Sequence, residues 1–189
     1  MQAAGLIVLK PGAVFSEGTS VFIEGGERTF VGRGGDKLEA ALRVFDLEVC
    51  DQVCLDVGAS TGGFTDCLLK RGAAKDYAIE NGKDQLATPL RENPRVISME
   101  EVDIRNASLK WFNEPITFAV VDVSFISLIK VLEPISHVLA SKAKLICLIK
   151  PQYEVGKGNV SKRGIVRDQE SRQQAVKKIC NYAHSLGLK

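Results

Sequence analysis

From Asp51 onward, short apolar runs alternate with amphipathic stretches, and this alternation constrains the fold more than any other feature of the chain. Residues 53–57 read as a buried strand, 64–70 as a helix closed by Gly72, and 76–80 as a second strand. A helix is expected over 84–91, although Pro89 falls inside it. Strands follow at 95–98, 116–122 and 143–150, with a helix over 128–139 between the last two. Residues 151–166 read as a Gly/Lys-rich loop, and Asp168 caps a last helix running to Leu186. Apolar strands separated by helices form a parallel sheet covered on both faces. The expected fold is therefore α/β, a doubly wound, mostly parallel sheet, with ligands at the carboxyl ends of the strands where strand order reverses.

Upstream the pattern changes. The apolar pieces 5–9 and 20–23 are cut by Pro11-Gly12, Gly18 and Gly25-Gly26, which suits a few short β-strands with tight turns, too few to fold alone. A glycine cluster, Gly32-Arg33-Gly34-Gly35, then opens an amphipathic helix over 36–45, with Leu38, Ala41, Leu42 and Phe45 on one face. The chain divides on this reading into a β segment, 1–31, and an α/β domain, 32–189.

With 45% apolar and 25% charged residues, the 189-residue chain can bury a core, which excludes a disordered tail, a coiled coil or a collagenous chain. No apolar run approaches the ~20 residues a spanning helix needs. Met1-Gln2-Ala3-Ala4-Gly5 lacks the basic start of a signal peptide. The five cysteines (Cys50, Cys54, Cys67, Cys147, Cys180) are odd in number and form no paired C-x-x-C knuckles. Reduced thiols, no metal site and a cytoplasmic address are expected. His137 and His184 both read as structural, so histidine-based catalysis is not expected. Charge is uneven: residues 142–189 carry 11 Lys/Arg against 3 Asp/Glu, on an otherwise acidic body. Such a cationic segment suits a polyanionic partner.

The strongest local signal is Leu55-Asp56-Val57-Gly58-Ala59-Ser60-Thr61-Gly62-Gly63-Phe64, a strand running through small residues into a helix. Backbone there can approach a ligand closely. The spacing is G-x-x-x-G-G, not the dinucleotide fingerprint G-x-G-x-x-G. Asp56 could meet a cationic or hydroxylated ligand. Glu80 ends the second strand 22 residues after Gly58, near the ~20-residue interval at which a carboxylate meets ribose hydroxyls. Two carboxylates beside a glycine loop, with no arginine nearby in sequence, favour S-adenosylmethionine over NADP or ATP. Asp103 could partner the adenine or simply cap the turn that follows. Asp122 and Lys150 close the fourth and fifth strands, and a charged residue ending an apolar strand is costly unless used or paired. Neighbouring strands would bring them together, either as a structural salt bridge or as a lysine base held by a carboxylate.

Five blocks in order, Gly34-Gly35-Asp36-Lys37-Leu38-Glu39, the glycine turn from Cys54 to Asp66, Asp122-Val123-Ser124-Phe125-Ile126-Ser127-Leu128, Lys150-Pro151-Gln152-Tyr153-Glu154 and Gly164-Ile165-Val166-Arg167-Asp168, resemble the TlyA (hemolysin A-like) branch of the FtsJ-type ribose 2′-O-methyltransferases. The resemblance implies a Rossmann-like class I methyltransferase that takes S-adenosylmethionine and methylates a cytidine 2′-hydroxyl in ribosomal RNA. It implies cofactor contacts at Asp56, Gly58, Ser60, Gly62, Gly63, Phe64, Glu80, Asp103 and Asp122. It also implies a Lys-Asp-Lys-Glu catalytic set, whose first three members fall on Lys37, Asp122 and Lys150. The glutamate is expected beyond Lys189, and Glu154 does not take its place. The family's usual Asp, Asn and Ser are here Glu80, Asp103 and Gly32. On the same resemblance, residues 1–31 correspond to the end of a small RNA-binding module.

The expected chemistry is direct. A ribose 2′-hydroxyl is a weak nucleophile that must attack the sulfonium methyl in line, within roughly 3–3.5 Å. Lys150 would receive its proton, Lys37 would favour the unprotonated lysine by like-charge repulsion, and Asp122 would orient it. Two alternatives belong to other classes. A cytolysin, which the family's hemolysin label suggests, lacks support from any spanning or long amphipathic segment. An RNA-binding protein without turnover is the other.

Overall fold

The structure, a computed structural model, describes residues 2–3, 6–7, 14–22 and 29–189. Near the N-terminus, β1 (Gln2–Ala3), β2 (Leu6–Ile7) and β3 (Val21–Phe22) form an antiparallel sheet in the order β2-β1-β3. Gly5, Val8, Leu9 and Ile23, expected in these strands, lie outside the described residues, as do Pro11-Gly12 and Gly25-Gly26.

The main sheet holds β4 (Val53–Val57), β5 (Lys75–Glu80), β6 (Val96–Glu100), β7 (Ile116–Val121) and β8 (Leu139–Cys147) in the order β6-β5-β4-β7-β8. All of its pairings are parallel, as the alternating pattern requires. Around it run α1 (Gly34–Val44), α2 (Gly63–Lys70), α3 (Thr88–Arg91), α4 (Ile129–Val138), α5 (Pro151–Glu154) and α6 (Gln169–Ser185). Successive strand residues point to opposite faces, and each face has its own cover. Leu55, Val57, Ala119 and Val121 pack with Val131, Leu132 and Ile135 of α4 and Ile179 of α6. Cys54, Phe118 and Val120 pack with Leu38 and Leu42 of α1 and Phe64, Cys67 and Leu68 of α2. Because β4 continues to β5 on one side and is flanked by β7 on the other, strand order reverses between β4 and β7. A crevice opens at such a point.

Several local expectations are corrected. The helix expected over 84–91 is reduced to Thr88–Arg91. Glu100, on β6, accepts the backbone N–H groups of Asp84, Gln85 and Leu86 at 2.7–2.8 Å and holds them as a loop. Pro89 then opens the helical turn rather than breaking one. Phe45 is 63% exposed instead of packing with Leu38 and Leu42, because α1 ends one residue earlier. The stretch 151–166 is not wholly loop, since Pro151–Glu154 forms a helical turn. β8 starts at Leu139, through a register irregularity opposite Ile116 and Phe118.

Candidate active site

The glycine turn after β4 is shaped by its neighbours. Gly58 adopts φ +84°, and a Cβ there would meet the main chain of Asp122 at 3.0 Å. Gly62 adopts φ +95°, and a Cβ would lie 2.2 Å from Leu90 Cδ1. Only glycine satisfies both demands at these positions. Gly62 offers no side chain to cap α2, so the acceptor comes from a distant strand: Asp56 takes the N–H of Thr65 at 2.9 Å and its hydroxyl at 2.8 Å.

This places Asp56 differently from the expectation of a ligand contact. Its side chain shares the face of Cys54, under α2, and the residue is 1% exposed. Asp76 on β5 is 0% exposed and shares its burial. Burial pushes the Asp76 carboxyl up to about 7, and burial together with the charge of Asp76 raises that of Asp56 well above the carboxylate range. Asp56 builds the floor of the turn and does not line the crevice.

The crevice itself is a cavity of about 640 Å3 lined by Gly58, Ser60, Glu80, Asp103, Asp122 and Phe125, among others. Glu80 spans the turn, accepting the N–H of Ser60 and of Gly82, each at 2.9 Å. Asp103 accepts the N–H of Arg105 at 2.9 Å, as a cap, and pairs with its guanidinium, which holds the carboxyl below its usual range. Arg105 also lines the cavity, a cation that sequence proximity to the glycine loop did not reveal. Asp103 engages it, so it is not a free phosphate partner.

A second cavity, about 500 Å3, adjoins the first and is lined by Arg33, Lys37, Gly63, Phe64 and Lys150. Gly58, Ser60, Asp122 and Ser124 belong to both. Here the charged residues that follow two neighbouring strands meet, Asp122 directly after β7 and Lys150 three residues beyond β8, which ends at Cys147 rather than at the expected Lys150. Lys150 Nζ lies 2.6 Å from Asp122 Oδ1 and donates to Ser124 Oγ at 2.8 Å and to the Asp122 main-chain oxygen at 3.3 Å. Lys37, reaching from α1, donates to the other carboxylate oxygen, Oδ2, at 3.4 Å. The Lys150 and Asp122 side chains are 18% and 16% exposed, against 50% for Lys37. The arrangement can hold an ammonium in a fixed direction and pass a proton across a short distance. The buried Gly62 shapes the turn from beneath.

Three residues without an expected role line the cavities. Ser124 and Phe125 line the cleft, Phe125 being 91% exposed with φ +63°, its ring 5.6 Å from that of Tyr153. Arg33 lines the second cavity. Glu154 is 6% exposed and lines neither cavity. An aromatic held at positive φ was the one signal available, but it is visible only in the backbone. Neither histidine lines the cleft, all five thiols are free, and no group among the described residues is placed to hold a metal ion.

A parallel sheet with a nucleoside-sized crevice at its strand reversal, flanked by a carboxylate between two lysines, defines the Rossmann-like methyltransferase class. Residues 30–189 match the FtsJ-like methyltransferase family, and the chain belongs to it. Members of this family use S-adenosylmethionine as methyl donor. The chain is 40% identical over 184 residues to the 16S/23S rRNA (cytidine-2′-O)-methyltransferase TlyA of Mycobacterium tuberculosis, covering 97% of this chain and 69% of that one. It is 43% identical over 161 residues to Hemolysin A of Brachyspira hyodysenteriae, covering 85% and 67%. A crystal structure from Lactococcus lactis that carries a hemolysin name superposes with a TM-score of 0.81 at 44% identity, covering 84% and 76%. The chain spans 64–69% of the length of three curated relatives it matches.

Proposed function

We propose that this chain is the catalytic part of an S-adenosylmethionine-dependent RNA methyltransferase acting on a cytidine 2′-hydroxyl of ribosomal RNA in the cytoplasm. The observation that carries this reading is the pairing of Lys150 and Lys37 with opposite oxygens of Asp122, beside the crevice. The crevice suits the donor on its own features. Its volume lies within the ~300–1,000 Å3 usual for small-molecule sites, and Glu80 and Asp103 offer acceptors suited to a ribose diol and an exocyclic amine. Gly58 leaves room for backbone to approach the ligand. When bound, the donor supplies an electrophilic methyl group on a sulfonium.

The chain's own residues then do the rest. As the 2′-oxygen takes the methyl group and the bond from methyl to sulfur breaks, Lys150 in its neutral amine form receives the 2′-hydroxyl proton at Nζ, directed by Asp122 and Ser124. Lys37, more exposed, holds the other oxygen of the same carboxylate and so helps fix its direction. Phe125 offers a ring face to a base at the mouth of the cleft. The basic segment 142–189 attracts the RNA backbone. Residues 1–31 fit the end of a small RNA-binding module that precedes the catalytic domain.

The test is transfer of labelled methyl from S-adenosylmethionine to stripped ribosomal subunits, followed by mapping of the product. A 2′-O-methylcytidine is expected. Full transfer by Lys150→Ala with intact cofactor binding would overturn the residue assignment. The hemolysin name of the Brachyspira relative adds a check: among the described residues no helix is long and apolar enough to cross a membrane, and leakage from dye-loaded liposomes tests a lytic activity directly.

A further inference from the structure

The segment that carries Lys150 and the loop that carries Asp122 are fastened to each other twice. The first fastening is the site itself: Lys150 Nζ on Asp122 and Ser124. The second lies four residues further on. Glu154 Oε2 accepts the hydroxyl of Ser127 at 2.5 Å, and Oε1 accepts the N–H of Leu128 at 2.8 Å. Ser127 Oγ in turn accepts the N–H of Ile129 at 3.3 Å. The Glu154 carboxylate thus sits on the first turn of α4, where unpaired N–H groups and the helix dipole favour a negative charge. Behind it, Lys178 of α6 donates to the Glu154 main-chain oxygen at 2.9 Å. Between the two fastenings the rings of Tyr153 and Phe125 lie 5.6 Å apart.

The spans involved are short. Residues 150–154 are a strand exit followed by the single helical turn Pro151–Glu154. Residues 122–128 are the whole connection between β7 and α4, with Phe125 held at φ +63° in its middle. A non-glycine residue at positive φ persists only where its surroundings fix it. Glu154 grips the far end of that connection, while Asp122 N–H on Val57 O at 3.0 Å grips the near end. A buried carboxylate without a cationic side-chain partner among the described residues is costly, and this one lines neither cavity.

We propose that Glu154 is a positioning residue for methyl transfer: it locks the 122–128 connection against the Lys150 segment and thereby sets the geometry of the Lys150–Asp122 pair. The inference rests on the reading of Lys150 as the proton acceptor. Removing the carboxylate frees both segments, leaving Lys150 less firmly paired while the crevice floor under Gly58 and Glu80 keeps its own supports. A displacement of the acceptor of about 1 Å is enough to slow a transfer step up to about a hundredfold.

Two measurements on Glu154→Ala and Glu154→Gln test this, with unfolding temperature recorded for each. The first is the rate of amine-specific labelling at Lys150, read by peptide mass spectrometry against Lys37 in the same sample. The second is the split between single-turnover methyl transfer to ribosomal subunits and the Kd for S-adenosylmethionine. Glu154→Ala is expected to raise Lys150 labelling severalfold over Lys37 and to slow transfer by about tenfold or more, with the Kd nearly unchanged. Glu154→Gln, which can still accept from Leu128 and bond Ser127, recovers most of both. Unchanged labelling and transfer in a folded Glu154→Ala overturns the proposal, as does equal damage from the two variants. If Glu154→Ala does not fold, Ser127→Ala removes one of the two contacts and is expected to give the same changes in smaller measure; no change there overturns it. A wild-type chain that transfers no methyl would count against the functional reading alone, because the labelling ratio still decides the role of Glu154.

Discussion

Gly58 and Asp122 abut across the reversal of strand order: a Cβ on Gly58 would lie 3.0 Å from the Asp122 main-chain oxygen and 3.2 Å from its carbonyl carbon. The turn that shapes the crevice and the residue that holds both lysines are therefore one mechanical unit. Gly58→Ala meets two penalties, the left-handed backbone at about 1–2 kcal/mol and this contact. It is expected to lower the unfolding temperature and weaken S-adenosylmethionine binding together, by thermal melting and calorimetry. Unaltered affinity would show that the turn yields without disturbing the crevice.

The two lysines contribute unequally. Lys150 is the more buried and makes the 2.6 Å contact, whereas Lys37 lies at 3.4 Å and is half exposed. Lys150→Ala is expected to slow methyl transfer by about 10²–10⁴-fold, the range of a lost general base. Lys37→Ala should slow it less. Single-turnover kinetics at saturating cofactor checks the order, and a larger loss at Lys37 would reverse the assigned roles.

Stability should fall as pH rises from about 4 to about 7. Asp76 titrates at about 7 in the folded protein against an ordinary value of 3.8, because burial favours its neutral form. Such a group binds a proton in the folded but not the unfolded chain between those values. Its stabilising contribution is complete below about 4 and is lost as pH rises through about 7. Asp76→Asn is expected to flatten the decline in unfolding temperature between about pH 4 and pH 7 and to raise that temperature at pH 8, by about 2–4 °C per kcal/mol relieved. An identical slope in both proteins would contradict it.

Phe125 projects almost wholly into solvent from a backbone conformation that its side chain disfavours. Phe125→Ala is expected to leave the unfolding temperature unchanged or slightly higher. It should raise the KM for ribosomal RNA by about 5–150-fold, the equivalent of one lost base stack at ~1–3 kcal/mol. A steady KM would assign the ring to Tyr153 alone.

The sequence showed most clearly what is periodic or placed at a strand end. Leu55 and Val57 alternate with Cys54 and Asp56, and that pattern alone requires two covered faces. Asp122 and Lys150 were legible as partners because each closes an apolar run in adjacent strands. What could not be read depends on backbone groups brought together from afar. Glu100 takes three N–H groups of the 84–86 loop and so prevents the helix expected there. Asp56 has the right position for a ligand but the parity of the buried face, and Thr65 claims it. Arg105 reaches the crevice from beyond the third strand, and Glu154 finds its partners 26 and 27 residues away.

Gly58, Ser60, Asp122 and Ser124 face both cavities at once. If donor and acceptor take these two cavities, they meet across a common partition, and neither cavity can be remodelled in isolation. An inhibitor that straddled the partition would draw on both chambers, and escape from it by substitution would have to alter a surface that each natural guest also needs.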